Sequence, residues 1–133
     1  MARRGLVALA ALSLALAPAA QAQTRPELVG PSQRDMNEQA ATRLEMANHA
    51  LNQVYGKLMA AASPDGRNRL RAAQRAWVTF RDLDCDARSG ARGGSFHPAS
   101  VAQCLEAVTD ERTRTLQSEL DCQEGDMSCG GVR

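Results

Sequence analysis

The sequence lacks the short motifs that mark the common classes of enzyme and metalloprotein. It contains no H-E-x-x-H, no G-x-S-x-G and no phosphate-binding loop, so catalysis has little support and no catalytic residue is predicted. It also contains no C-x-x-C, and its two histidines, His49 and His97, lie far in sequence from any cysteine. We therefore expect no metal site and no cofactor, and we expect His49 on a helix surface.

Strong charge and long apolar runs are also missing from most of the chain. The formal net charge is +1, which gives no general signal for nucleic-acid binding. Beyond the first residues, no apolar stretch approaches the roughly 20 residues that a membrane helix needs. No run of alternating residues predicts a strand, and no internal repeat is present.

The first 22 residues have the organisation of a secretory signal peptide. Two arginines precede the apolar stretch Leu6–Leu16, and Ala20-Gln21-Ala22 supplies small residues for cleavage before Gln23. The alternative is an uncleaved anchor. No cysteine near this point accepts a lipid, so no stable membrane insertion is expected after cleavage. The remaining 111 residues suffice for one small domain, and their 14 basic and 15 acidic residues give a net charge of −1.

Hydrophobic periodicity predicts three helices after a flexible lead-in of residues 23–32. The predicted helices run from 33 to about 62, from 64 to about 87, and from 98 to about 120. The apolar face of the first helix consists of Ala40, Leu44, Ala47, Leu51, Val54 and Leu58. Ser32 and Ser63 are predicted N-caps, and Pro64 suits a first helical position. Short connections favour an antiparallel three-helix domain over residues 33–121, of the all-α class.

Four cysteines, all after the predicted cleavage site, favour disulfides in an oxidising compartment. Cys85 lies near the end of the second helix and Cys104 near the start of the third. An antiparallel hairpin brings these two positions together across a glycine-rich loop. Cys122 and Cys129 then close a small ring in the tail, residues 122–133. Four cysteines allow three connectivities, and we predict the pairs Cys85–Cys104 and Cys122–Cys129.

Polar side chains interrupt the apolar face of the second helix. This face consists of Leu70, Ala73, Trp77 and Phe80. Trp77 and Phe80 are predicted core residues, with a partly exposed aromatic anchor at an interface as the alternative. The polar residues that share an inner face there and on the third helix are Gln74, Arg81, Asp84 and Arg112. They are interpreted as a half-buried network that fixes helix register, with direct ligand contact as the alternative. Arg81 reaches Asp84 one turn on, and an inward Arg112 requires an acidic partner.

Several ordered segments resemble a known family. They are Met36-Asn37-Glu38, Ala50 to Tyr55, Ala73 to Trp77, Phe80 to Cys85, Gly93-Gly94-Ser95, Cys104-Leu105, and Thr109 to Thr113. Together these segments resemble the lysozyme inhibitor LprI-like domain over about residues 33–120. Gln39 stands where relatives often carry a cysteine, and no other cysteine precedes it. The resemblance implies an all-helical envelope domain and, less directly, lysozyme inhibition.

The loop from Arg88 to Pro98 is the predicted partner-binding site. The residues predicted to contact a partner are Arg88, Arg92, Ser95, Phe96 and His97. If the partner is a lysozyme, its cleft holds two carboxylates that an Arg, Ser or His of this loop can occupy. The alternative is an ordinary connector. Seven acidic residues between 101 and 127 offer a second, electrostatic mode of binding a basic lysozyme, or simply solvated helix faces.

Three functions remain open at this stage. The first is an exported, periplasmic or secreted inhibitor of lysozyme or another cell-wall hydrolase. The second is a structural or adaptor protein of the envelope that docks on another protein, and the third is a small hydrolase. A protein is the expected partner, and nucleic acid is not.

Overall fold

The computed structural model describes residues 30–90, 92–123, 125–127, 129 and 131–132, and three α-helices account for most of them. Helix α1 spans Gln33–Ala61, α2 spans Pro64–Arg88, and α3 spans His97–Asp121. The predicted all-α fold is therefore confirmed, and each boundary lies within one residue of its predicted position. The predicted signal peptide lies outside the described residues.

The first two helices begin at hydroxyl caps, as the sequence predicts. Ser32 Oγ accepts a hydrogen bond from the backbone N–H of Asp35 at 3.2 Å, and Asp35 Oδ2 accepts one from the N–H of Ser32 at 2.9 Å. Ser63 Oγ accepts a hydrogen bond from the N–H of Gly66 at 3.0 Å. Only Ala62 and Ser63 separate α1 from α2, so the chain reverses sharply and the two helices are antiparallel.

Helices α1 and α3 run parallel and form the most closely packed pair of the domain. Near their starts, Ala40 packs against Ala99 and Ala102, and these small side chains allow the helices to approach closely. We call this half, with the adjacent loop, the loop end. At the opposite end, which we call the leucine end, the three helices share a cluster of buried residues. This cluster consists of Leu51, Leu58, Leu70 and Leu116.

The tail returns across the leucine end of the domain. The disulfide Cys122–Cys129 closes its first part, with Cα atoms 5.8 Å apart. Val132 packs against the leucine cluster, and its carbonyl accepts a hydrogen bond from the N–H of Ser63 at 3.2 Å. A Cβ atom on Gly66 would lie 1.8 Å from that carbonyl oxygen. Only glycine fits position 66 while the tail lies there.

Candidate functional site

The predicted disulfide Cys85–Cys104 joins α2 to α3 directly beneath the loop, with Cα atoms 5.6 Å apart. Both predicted disulfides are therefore present. Cys85 is fully buried, so this bridge also packs as part of the interior. The bridge fixes the separation of the two helix ends from which the loop emerges.

Hydrogen bonds hold the loop between α2 and α3 at several further points. Asn37 of α1 donates from Nδ2 to the carbonyl of Ser95 at 3.1 Å. His97 Nδ1 lies 2.9 Å from the carbonyl of Gly90, and the N–H of His97 donates to the carbonyl of Gly94 at 3.1 Å. Gly93 has a φ of 79°, which glycine adopts without strain. The loop is thus exposed but constrained, which lowers the entropy that it would lose on binding.

The two arginines of the predicted site are paired within the chain. Arg88 Nη2 lies 2.5 Å from Asp84 Oδ2, and Arg92 Nη2 lies 2.8 Å from Asp86 Oδ2. The hydrogen bond and charge of Arg92 lower the pKa of the Asp86 carboxyl, and the same contact raises the pKa of the Arg92 guanidinium. The Arg92–Asp86 pair is exposed, so its net stabilisation is small, whereas Asp84 is half-buried. An incoming carboxylate can therefore replace Asp86 as the partner of Arg92 at little cost.

Ser95 and Phe96 form the outer part of the loop. Ser95 is exposed, and the Phe96 side chain is 42% exposed. His97 is half-buried because its ring faces the carbonyl of Gly90. The structure therefore places the predicted contact residues close together at one end of the domain, with His97 the least accessible of them.

The inner polar residues of α2 and α3 gather around Trp77. The guanidinium carbons of Arg81 and Arg112 lie 5.1 and 5.9 Å from the centre of the indole ring, within the range of cation–π attraction. Arg81 Nη1 also donates to Asn48 Oδ1 of α1 at 3.2 Å and to Thr109 Oγ1 of α3 at 3.3 Å. One side chain therefore links all three helices, as a network that fixes register would.

Two predicted contacts of this cluster are wrong. Arg81 pairs with the adjacent Asp82 at 2.8 Å, because Asp84 points along the helix towards Arg88. Arg112 donates from Nε to the neutral Oε1 of Gln74 at 3.1 Å, and the ion pairs between described residues do not include it. Burial lowers the pKa of the Arg112 guanidinium. Arg112 is thus a half-buried cation with a neutral partner.

Phe80, a predicted core residue, is instead 58% exposed. At this level, beside the cluster of Trp77 with Arg81 and Arg112, the apolar face of α2 does not close against α3. An open groove of about 540 Å³ remains between α2 and α3, and we call it the α2–α3 groove. Its wall on α2 includes Trp77 and Phe80, and its wall on α3 includes Ala107 and Val108.

The acidic stretch of α3 is partly engaged within the protein. Glu106 pairs with Arg43 of α1 at 3.2 Å, and Glu111 pairs with Arg114 at 2.6 Å. These ion pairs neutralise part of the negative charge that was predicted to attract a basic partner. His49 is exposed on α1, as predicted.

Among the residues that the structure describes, no three histidine, cysteine or acidic side chains come close enough together to hold a metal ion. In the same part of the chain, no helix is both long and apolar enough to cross a membrane.

Comparison with known proteins identifies similar sequences. A family described as Lysozyme inhibitor LprI matches residues 27–116, which contain α1, α2 and α3 as far as Leu116. An uncharacterized protein of Rhizobium meliloti (strain 1021) is 32% identical over 137 residues, covering 92% of this chain and 99% of that protein. No solved structure matches the chain. The matched family region includes the bridge Cys85–Cys104 and ends before Cys122–Cys129.

Proposed function

This chain belongs to the lysozyme inhibitor LprI family, and we propose that it is an exported, non-enzymatic protein that inhibits a lysozyme or a related cell-wall hydrolase by binding to it. The observation that carries this proposal is the constrained loop between α2 and α3, with the disulfide Cys85–Cys104 at its base. A binding loop that is ordered before contact retains more of its interaction energy as affinity.

Export is supported by two independent features. The first 22 residues have the pattern of a cleaved leader, and all four cysteines lie after it in the sequence. Both disulfides form within the structure, which suits an oxidising compartment such as the periplasm or the exterior. A cell-wall hydrolase acts in that same space.

In the proposed mechanism, the loop enters the substrate cleft of the hydrolase. Glycoside hydrolases carry two carboxyl groups that flank the bond to be cleaved. Arg88 and Arg92 would exchange their partners within the chain, Asp84 and Asp86, for these carboxyls. Ser95 and Phe96 would fill the space that the sugar otherwise occupies.

The second candidate is an envelope adaptor that docks on a protein without inhibiting it. The exposed Phe80 and the open α2–α3 groove favour this alternative, because neither contributes to the buried core. Both candidates require a protein partner. They differ in whether occupation of the loop blocks an active site.

A lysozyme turbidity assay with the chain from Gln23 onward tests the proposal. Several lysozyme classes should be assayed. We expect inhibition of at least one class, and we expect at least a tenfold loss of potency in a loop variant. In that variant alanine replaces Arg88, Arg92, Ser95 and His97.

A matched control changes the same residue types at exposed positions away from the loop. In it alanine replaces His49, Arg71, Arg75 and Ser118, and we expect potency to stay within twofold of the unaltered protein. Equal potency of the loop and control variants would reject the loop. If the unaltered protein inhibits no hydrolase in the assay, inhibition itself is rejected.

A further inference from the structure

Helix α2 carries an apolar stripe that faces solvent. The stripe, which we call the α2 stripe, consists of Ala73, Ala76, Phe80, Leu83 and Ala87, all of them exposed. Their spacing of three, four, three and four residues places them on one side of the helix. From first to last they span about 21 Å at 1.5 Å per residue. Phe80 is 58% and Leu83 67% exposed, so the stripe includes two large apolar side chains without a packing partner.

The α2 stripe meets the α2–α3 groove at Phe80. Phe80 belongs to both, and Trp77 lies beside it in the groove wall. Ser89 lines the loop end of the groove and is only 6% exposed, yet its hydroxyl has no hydrogen-bond partner among the described residues. That hydroxyl oxygen is itself buried, so an occupant of the groove would meet the side chains of its walls rather than this atom.

The charges of this surface favour an acidic occupant. Helix α2 contains six arginines and four aspartates, and the charged residues that line the groove are Arg88, Glu111 and Arg112. Arg88 and Glu111 each pair with another residue of their own helix. Arg112 lines the groove as a half-buried cation whose hydrogen-bond partner, Gln74, is neutral. A carboxylate placed beside Arg112 would compensate a charge that burial already destabilises. The preferred occupant is thus both apolar and acidic.

A second copy of this chain does not meet that requirement. Pairing across a two-fold axis would bring two basic α2 helices together, and juxtaposed like charges oppose association. The α2 stripe is also small. At about 21 Å by the roughly 10 Å width of a helix, it covers far less than the roughly 800 Å² that each partner contributes to a stable interface.

The α2 stripe leads directly into the predicted inhibitory loop. Ala87, its last residue, precedes Arg88, where α2 ends and the loop begins. We infer that the α2 stripe and the α2–α3 groove dock against an apolar and acidic segment at the rim of the hydrolase cleft while the loop enters the cleft. This inference rests on the proposed function and assigns the docking surface that the loop alone does not provide.

Affinity measurements on paired surface variants test the inference. We expect F80S/L83S to raise the Kd for the inhibited hydrolase at least tenfold, because both side chains would be covered in the complex. The matched control M46S/V78S removes two other exposed apolar side chains, one on α1 and one on the opposite flank of α2, and should change the Kd less than twofold. Since all four residues are exposed, thermal melting should show that every variant folds. Equal Kd values for the two variants would overturn the inference and leave the proposed function intact.

Hydrogen exchange of the complex locates the contact independently. Protection is expected over residues 73–88 as well as over the loop. Protection of the loop alone would contradict docking through α2.

Protection of residues 73–88 by a chitooligosaccharide without any hydrolase would identify the occupant as a glycan and overturn the inference. A dimer that F80S/L83S converts to a monomer in sedimentation would overturn it in favour of self-association. Absence of any binding by the unaltered protein would remove both the proposed function and this inference.

Discussion

The leucine end and the loop end of this domain are stabilised in different ways. At the leucine end, Leu51, Leu58, Leu70 and Leu116 are buried together and the tail covers them. At the loop end, the buried apolar residues are alanines, which bury little area. A disulfide and hydrogen bonds hold that end instead. The comparison indicates that burial provides stability at one end, while cross-links at the other end leave larger side chains free to contact a partner.

The cluster around Trp77 lies between these two ends. Arg81 bonds to Asn48 and Thr109, so it fixes the relative positions of α1, α2 and α3. Thr109 is fully buried, which makes this contact sensitive to helix register. Trp77 itself packs against the leucine cluster. The cluster therefore joins the stable end to the end that is proposed to bind.

The largest expected effect on stability is at the leucine end. Leu58 is fully buried, so Leu58→Ala should lower the free energy of unfolding by about 4 kcal/mol, within the range for a cavity left by a buried leucine. Urea denaturation measures the loss. The matched change Leu83→Ala removes a leucine that is 67% exposed and should cost less than about 0.5 kcal/mol. Assayed well below its melting temperature, Leu58→Ala should keep its inhibitory potency. A loss of potency in the folded variant would show that the two ends are not separate.

The second expected effect distinguishes the two disulfides. C85A/C104A should cost about 3 kcal/mol in the chain-entropy model, and C122A/C129A about 2.5 kcal/mol because its loop is shorter. The two variants should differ more in inhibition than in stability. Only C85A/C104A frees the base of the loop, so inhibition should fall at least tenfold in that variant and stay unchanged in C122A/C129A. Equal potency of the two variants would contradict the role assigned to the bridge beneath the loop.

The sequence predicts the helices and disulfides well because their determinants are local. A serine directly before a helical pattern predicts an N-cap, as at Ser32 and Ser63, and apolar residues three and four apart predict the buried face. Cys85 and Cys104 pair because a short loop between two antiparallel helices leaves them opposite each other. These features need no knowledge of distant contacts.

The errors concern residues whose environment depends on how closely two helices approach. Phe80 lies on the predicted apolar face but is exposed, because this face of α2 does not close against α3. Asp84 lies within reach of both Arg81 and Arg88, and spacing alone does not decide between them. The α2 stripe could have been found from the sequence, because Ala76, Leu83 and Ala87 share the helical spacing of Phe80 and lie on the same side of α2.

Acid should produce the smallest effect, and the part that depends on shifted carboxyl pKa values should lie at the loop end. Asp35 and Asp86, the two described carboxyls whose pKa is lowered in the folded protein, both lie there. Hydrogen bonds from Ser32 lower the pKa of Asp35, and a hydrogen bond from Arg92 lowers that of Asp86. A lowered folded-state pKa means that their stabilisation is present above the ordinary value of 3.8 and is lost as the pH falls through the lower folded value. Both are exposed, so solvent screens the effect and global unfolding should not follow.

Amide NMR spectra recorded from pH 5.5 to 2.5 should show this location directly. Amides of residues 32–37 and 86–97 should shift as the pH falls below the ordinary carboxyl value of 3.8, while those of Leu51 and Leu58 stay in place. Asp86→Asn should abolish the acid response of the loop, and Asp65→Asn, at the leucine end, should not. If the leucine-end amides moved as well, burial would not be the separate source of stability there. The loop would then be no more dependent on charged contacts than the rest of the domain.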